Sequence, residues 1–303
     1  MGMVLIKRDF VFLTLYVTNS IDSGTVYLKG LMMSKYFVFN ADKFGVSKEH
    51  NKAILEGYNN GFLSSATIIA NGEAFSAAVN DILPECPTIG LGINLNITSN
   101  KALTKCSTLT NNKGFFNGNY INIFLCSFNK NTMKEIEKEF RAQIERVRQH
   151  SNITHITSTQ YIHTIPKIFE LVAKLSAEYN IPVIRTFNEK IFFVEDISKS
   201  LNLYFPFNLL RSLFLNLLTH FNKKALKKYN LKTNNYISGL EYANILDANL
   251  IEEGLKSIEL EDCIVEMAIS TCDTTTSNLT LDRKLEDSIK RLGFQITNYK
   301  NIC

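Results

Sequence analysis

Apolar and polar stretches alternate along the chain from residue 35 onward, in blocks that have the lengths of strands and helices. Short apolar runs bounded by turn residues predict strands, and amphipathic or charged stretches between them predict helices. The predicted strands are 36–39, 66–70, 89–97, 153–158, 182–185, 263–269 and 294–299. The predicted helices are 48–58, 73–83, 134–149, 166–179, 205–229, 252–258 and 283–292. Strands that alternate with helices indicate an α/β fold with a parallel sheet, and their number favours barrel-like closure.

Individual residues support several of these boundaries. Ser47 is a suitable N-cap for the first helix, and Asn59, Asn60 and Gly61 are expected to end it. Pro166 falls in the first turn of its helix, where a missing N–H costs little. No internal repeat or low-complexity linker interrupts the pattern, so residues 33–303 are predicted to form one domain.

The first 32 residues do not continue this pattern. Lys7 and Arg8 precede an apolar run at 10–17 that superficially resembles a signal peptide. The run is short, and no convincing small-residue cleavage site follows it. Met32 and Met33 stand directly before the first predicted strand, so we expect translation to start there and residues 1–32 to be a mis-assigned extension. A weak secretion signal is the alternative.

The composition of the chain argues against several classes of function. The chain has 303 residues with a formal net charge of +4, and its basic residues are spread along the sequence without a basic, aromatic-rich stripe. This spread disfavours a nucleic-acid partner. No stretch approaches the ~20 apolar residues of a membrane span, so no membrane partner is expected. The six cysteines form no Cys-x-x-Cys pair, which indicates reduced thiols and a cytoplasmic protein rather than a disulfide framework or a zinc site.

Polar residues collect where four of the predicted strands end. They lie at 40–43, 94–96, 155–163 and 266–273. In barrel-like α/β folds the functional residues gather at the carboxyl ends of the strands, because those ends share one rim. The pattern predicts a site at this rim, and ordinary loop polarity is the competing interpretation.

The same strand ends resemble the YdjC family of carbohydrate deacetylases. Phe-Asn-Ala-Asp-Lys-Phe-Gly-Val-Ser at 39–47 resembles that family's Asn-Ala-Asp-Asp-Phe-Gly motif, and Gly-Leu-Gly-Ile-Asn-Leu-Asn-Ile-Thr at 90–98 is similar to its Gly-Leu-His-Leu-Asn-Leu-Thr strand. His-Ile-Thr-Ser-Thr-Gln-Tyr-Ile-His at 155–163 resembles the His-x-Asp-Ser-His-Gln-His-x-His motif. Ile-Pro-Val-Ile-Arg at 181–185 and Glu-Met at 266–267 follow at the expected places. The resemblance covers residues 35–303.

The resemblance implies a metal-dependent hydrolase that removes acetyl groups from N-acetylated amino sugars such as chito-oligosaccharides. A divalent ion, Mg²⁺ or Zn²⁺, is expected to activate water, with a carboxylate as general base. Homodimerisation is also implied. The three positions that hold the metal in the family are Lys43, Asn94 and Thr159 here. An ammonium group repels a cation, so we expect no metal cofactor.

Other residues keep the family pattern, and their roles are carried over from it. Asp42 is the predicted relic of the general base. The predicted substrate-binding residues are His155, Gln160, His163, Arg185 and Glu266. Four of them have a plainer interpretation: the two histidines as hydrogen-bonded structural residues, Glu266 as a paired carboxylate, and Asp42 as the ion-pair partner of Lys43.

Three functions remain open at this point. The first is a degenerate deacetylase that acts as a sugar-binding or regulatory protein. The second is a working deacetylase or related hydrolase with an altered metal site. The third is an enzyme of different chemistry on the same scaffold.

Overall fold

The computed structural model of the chain describes residues 34–192, 205–240, 242–243, 245–259, 262–270, 272 and 278–303. The predictions for residues 1–32, a mis-assigned start or a weak secretion signal, lie outside the described residues. So do positions 271 and 273 of the last polar strand end.

Eight parallel strands form the sheet in the described part of the chain. They are β1 (Lys35–Phe44), β2 (Ser65–Ile68), β3 (Gly90–Leu95), β4 (His155–Ser158), β5 (Val183–Ile184), β6 (Tyr236–Ser238), β7 (Cys263–Ser270) and β8 (Phe294–Thr297). Their order is β5-β4-β3-β2-β1-β7-β6, and β8 pairs with the first half of β1. Isolated parallel bridges join Val183 to Lys232 and Glu189 to Ile237. These bridges connect the two ends of the sheet, and the predicted barrel-like α/β fold is confirmed.

Helices follow most of the strands, as the sequence predicts. They are α1 (Lys48–Asn60), α2 (Phe75–Ala77), α3 (Tyr120–Cys126), α4 (Lys130–Arg148), α5 (Pro166–Glu178), α6 (Phe205–Lys228), α7 (Ala248–Lys256), α8 (Arg283–Arg291) and α9 (Tyr299–Ile302). Helix α2 continues as a π-helical turn at Ala78–Ile82 and a 3₁₀ turn at Leu83–Glu85, and further 3₁₀ turns lie at Thr159–Thr164 and Leu279–Leu281. Among the described residues, no helix is long and apolar enough to cross a membrane.

Local signals explain several boundaries. The Ser47 side chain accepts a hydrogen bond from the backbone N–H of His50, so its predicted N-cap role is confirmed. Pro166 is the first residue of α5. The prediction that the last strand reaches Tyr299 is wrong, because the Asn298 side chain caps a new helix there by accepting from the N–H of Lys300. Helix α3 and strand β6 had no sequence prediction.

The main apolar core lies between the helices and the outer face of the sheet. Ile54 of α1, Phe140 of α4 and Phe169 of α5 are buried against strand residues such as Ile93. The inside of the barrel is more polar. Arg185, which follows β5, contacts Asp42 of β1 and Glu266 of β7, although β5 pairs with neither strand. These contacts therefore cross the barrel interior.

Candidate functional site

The strands with predicted polar ends, β1, β3, β4 and β7, are parallel, so these ends lie at the same edge of the sheet, and Asp42 of β1 is aligned with Ser270 of β7. In β1, Asp42 accepts a 2.6 Å hydrogen bond from the hydroxyl of Thr67 in β2. Asn94 of β3 is aligned with Thr157 of β4, and its side-chain oxygen accepts a 2.9 Å hydrogen bond from Thr159. We refer to this region as the rim.

Asp42 is held by four donors. Its Oδ1 accepts from the Thr67 hydroxyl, from the Asn40 side-chain amide at 2.9 Å and from Arg185 Nη2 at 3.1 Å. Its Oδ2 accepts from Arg185 Nη1 at 3.0 Å. The Asp42 side chain is 26% exposed, so part of the carboxylate is accessible at the rim surface although both of its oxygens are hydrogen-bonded.

Arg185 joins two carboxylates in the barrel interior. Its Nε and Nη2 donate to Glu266 Oε1 at 2.8 and 2.6 Å, and the hydroxyl of Tyr299 donates to Glu266 Oε2 at 2.6 Å. Arg185 is 2% exposed and Glu266 is fully buried. Burial alone lowers the pKa of a guanidinium, but Asp42 and Glu266 outweigh it, and the pKa of Arg185 is raised. Burial and the charge of Glu266 raise the pKa of Tyr299 well above its usual value, so its hydroxyl remains a donor.

His163 supports this network from the 3₁₀ turn after β4. Its Nε2 lies 3.0 Å from the carbonyl oxygen of Arg185, which can only accept, so Nε2 carries the proton. Nδ1 then accepts from the Ser158 hydroxyl at 2.5 Å. Burial lowers the pKa of His163 to about 4. The neutral imidazole therefore fixes the backbone from which Arg185 extends.

His155 is a second buried imidazole in the interior. The Thr154 hydroxyl donates to the carbonyl oxygen of Leu91 and therefore accepts from His155 Nδ1 at 2.9 Å. Its Nε2 is left as an unprotonated acceptor with no hydrogen-bond partner among the described residues. Burial, followed by the charge of Arg185, lowers the pKa of His155 well below its usual value. The ring packs against Tyr299 with centroids 4.7 Å apart.

Three residues with a left-handed backbone conformation lie at the rim. Lys43 has φ of 69°, and the consecutive residues Gln160 and Tyr161, directly after Thr159, have φ of 51° and 60°. Non-glycine residues adopt this left-handed region rarely and at some cost in free energy, typically where the surrounding structure requires it. Lys43 and Gln160 are exposed. Two of the three strained positions thus present a side chain at the surface of the rim.

The residues at the expected metal positions do not fit a divalent cation. The ammonium group of Lys43 has no lone pair to donate and repels a cation, while an amide and a hydroxyl oxygen are weak neutral ligands. Asn94 and Thr159 are already hydrogen-bonded to each other. Across the part of the chain that the structure describes, no group of three His, Cys, Asp or Glu side chains is placed to hold a metal ion.

The structure places the predicted site residues in two layers. Asp42 and Gln160 reach the rim surface, whereas Arg185, Glu266 and the two histidines are buried below it. The substrate-binding role of the buried four stays a prediction, and direct contact with a ligand would require the rim to open.

Sequence reasoning missed two members of the network, Thr67 and Tyr299, whereas Asn40 lies in the polar strand end that it identified. Thr67 is the one polar residue of the predicted strand 66–70, which is a signal that could have found it. Tyr299 lies far along the chain and had none.

The chain is similar to a known protein family over most of its length. A sequence model of the family described as YdjC-like protein matches residues 36–288. This chain belongs to the YdjC family.

Curated relatives of this YdjC protein carry deacetylase names. A carbohydrate deacetylase from Clostridium beijerinckii is 36% identical over 152 residues, which are 48% of this chain and 58% of the relative. A chitooligosaccharide deacetylase from Salmonella typhimurium is 32% identical over 151 residues, which are 49% of this chain and 58% of the relative. The match thus spans little more than half the length of these relatives.

Solved structures share the fold of the YdjC chain. A protein from Enterococcus faecalis V583 described as a cellobiose-phosphate cleavage protein superposes with a TM-score of 0.66 at 19% identity, over 89% of this chain and 99% of that one. An uncharacterized protein from Agrobacterium tumefaciens C58 gives a TM-score of 0.51 at 9% identity, over 89% of both chains. At these identities the likeness shows the fold alone.

Proposed function

We propose that this YdjC-family protein is a degenerate carbohydrate deacetylase, which binds an N-acetylated amino sugar or oligosaccharide at the rim without hydrolysing it. Membership of the family and the names of the curated relatives support the substrate class. The retained network around Asp42 supports a preserved rim, and the altered metal positions support the loss of hydrolysis.

The observation that carries the proposal is the hydrogen bond between Thr159 and Asn94. The two side chains at these metal-ligand positions are hydrogen-bonded to each other, and they offer a cation only neutral amide and hydroxyl oxygens. Lys43 adds an exposed positive charge to the same rim. Deacetylation by this family's chemistry requires a metal to polarise the amide carbonyl and lower the pKa of water.

Asp42 is also poorly suited to act as a base on its own. Both of its oxygens already accept hydrogen bonds, four in all, from Thr67, Asn40 and Arg185, so they are engaged by the protein rather than directed at an attacking water. The rim instead offers polar groups of the kind that bind sugar hydroxyls and an acetamide oxygen. They are the exposed part of the Asp42 carboxylate, the amide of Gln160 and the ammonium of Lys43.

A metal analysis and two assays on the purified protein test the proposal. We expect no stoichiometric divalent metal, no acetate release from N,N′-diacetylchitobiose, and saturable binding of that disaccharide in calorimetry. Acetate release that EDTA stops would show an active enzyme with an altered metal site. Absence of both hydrolysis and binding across a chito-oligosaccharide series would show that the rim has lost both functions.

We also propose that the protein works in a reducing, cytoplasmic compartment, on the sequence grounds given above. Cys86, Cys106, Cys126 and Cys303 take part in no disulfide bond. Homodimerisation, implied by the family resemblance, stays a prediction that light scattering of the purified protein can test.

A further inference from the structure

Two neighbouring helices present large apolar side chains to solvent. In and just after α3, exposed apolar side chains are Ile121, Phe124, Leu125 and Phe128. In α6 they are Phe207, Leu210, Leu213, Phe214, Leu217 and Phe221, with Phe207 69% and Leu210 68% exposed. We call these ten residues the apolar face. Clusters of this kind on a folded protein typically mark a binding surface.

The two halves of the apolar face adjoin. The ring of Tyr120 in α3 packs edge-on against Phe214 of α6, with centroids 6.2 Å apart. Both helices are also fixed to the same residue of the 3₁₀ turn at Thr159–Thr164. The Tyr120 hydroxyl lies 3.2 Å from the Thr164 hydroxyl, and the Asn222 side-chain amide donates to the Thr164 carbonyl at 2.8 Å. The face is therefore attached to the segment that carries part of the rim.

Cations outnumber carboxylates around the apolar face. Neither 86–134 nor 205–240 contains an Asp or a Glu. The cations of these two stretches are Lys101, Lys105, Lys113, Lys130, Lys134, Arg211, Lys223, Lys224, Lys227, Lys228 and Lys232. From the adjacent α5, Lys167 lies over the ring of Phe128 at 4.3 Å, and Glu170 pairs with Lys228. Apolar residues next to an excess of cations complement an apolar surface that carries anionic groups.

We propose that the apolar face docks on an anionic lipid bilayer, with its Phe and Leu side chains in the interfacial layer and its lysines at the headgroups. Helices that lie in a bilayer interface combine these two features, and each juxtamembrane lysine adds to the affinity for anionic lipid. A second copy of this chain fits less well, because in a twofold interface the face meets itself, and neither 86–134 nor 205–240 offers a carboxylate to these lysines. A peripheral contact needs no spanning helix. The proposal does not depend on the proposed sugar-binding function.

Vesicle co-sedimentation of the full chain tests this inference. We expect the protein to pellet with phosphatidylcholine vesicles that contain about 30% phosphatidylserine, and much less with phosphatidylcholine alone. About 0.5 M NaCl should weaken the binding, because it screens the lysines. The variant with Lys223→Gln, Lys224→Gln and Lys227→Gln should lower the partition coefficient about fivefold per lysine. The variant with Leu210→Ser, Leu217→Ser and Phe221→Ser should abolish pelleting.

A matched control uses exposed lysines of α1 and α8, Lys48→Gln, Lys52→Gln and Lys284→Gln, which should leave the binding unchanged. The lipid and salt dependence of the unmodified protein is a measurement that needs no variant. Wild-type protein that stays in the supernatant with anionic vesicles overturns the proposal. So does a dimer in light scattering that the apolar variant converts to monomer, since that result assigns the face to a second copy.

Discussion

Thr159 donates a 2.9 Å hydrogen bond to the side-chain oxygen of Asn94, across the ends of two neighbouring strands. The two residues are 65 positions apart in sequence, and the parallel pairing of β3 with β4 brings them together. Their contact shows that positions 94 and 159 can reach a common point in space. Side chains with stronger donor atoms at these positions could therefore act on one ligand.

Restoring metal-binding side chains should restore a metal site. In the variant with Lys43→Asp, Asn94→His and Thr159→His, one carboxylate and two imidazoles replace the ammonium, amide and hydroxyl groups. We expect Zn²⁺ to raise its melting temperature in a dose-dependent manner, because a ligand that binds only the folded state stabilises it. A differential scanning fluorimetry titration with Zn²⁺, reversed by EDTA, measures this.

The single variants provide the controls for this rescue. Asn94→His or Thr159→His alone should show little shift, because one imidazole supplies only part of the affinity and Lys43 still repels the ion. A folded triple variant whose melting temperature does not change with added Zn²⁺ would show that the side chain at position 43 does not reach those at positions 94 and 159.

The sequence predicted the barrel-like fold well because its signals are local. Apolar runs, the Ser47 cap and Pro166 each act within a few residues, and they mark elements whose parallel packing follows general rules. The exceptions are short elements. Strand β6 has three residues, and α3 is a seven-residue apolar segment whose pattern does not separate a helix from a loop or strand.

The partners of the site residues were harder to predict. Arg185 was assigned to substrate binding, but its guanidinium is buried between Asp42 and Glu266, which are 143 and 81 positions away. Residues separated by so many positions leave no local or periodic pattern in the sequence from which their contact could be predicted. The plainer interpretations that the sequence left open, structural histidines and a paired Glu266, describe the observed contacts of His155, His163 and Glu266.

Removing the charge of Arg185 should destabilise the fold strongly. Arg185→Met leaves the buried Glu266 and the partly buried Asp42 without their cation, and breaking a buried ion pair in this way costs about 3–5 kcal/mol. Arg141 is the matched control, because it pairs with Glu137 and Glu178 at the surface. Arg141→Met should cost about 1 kcal/mol or less. Urea unfolding of the two variants measures the difference, and equal losses would contradict the buried network.

Gly92 should tolerate no side chain while His155 is present. A Cβ at position 92 would overlap the Cε1 and Nε2 atoms of the His155 ring, since the imidazole lies directly over the glycine. We expect Gly92→Ala to cost roughly 1–3 kcal/mol of unfolding free energy. Gly118→Ala is the control, because its Cβ would approach Ile123 no closer than 3.3 Å. In a double-mutant cycle, Gly92→Ala should cost less in a His155→Ala background, and purely additive effects would contradict the close contact.

Folding stability should decrease as the pH falls from about 7 toward 4. Burial lowers the pKa of His163 from 6.5 to about 4, so in this window the unfolded chain binds a proton that the folded chain excludes. Stability is therefore full above the unfolded pKa and is lost as the pH drops below it, by about 3 kcal/mol for the full shift of His163. His155, whose pKa is also lowered by burial, adds to the same slope.

Urea unfolding at several pH values measures the slope of unfolding free energy against pH. His163→Gln should make it shallower, although it lowers stability at pH 7. An identical slope in the His163→Gln variant would mean that this imidazole is not held neutral in the folded protein.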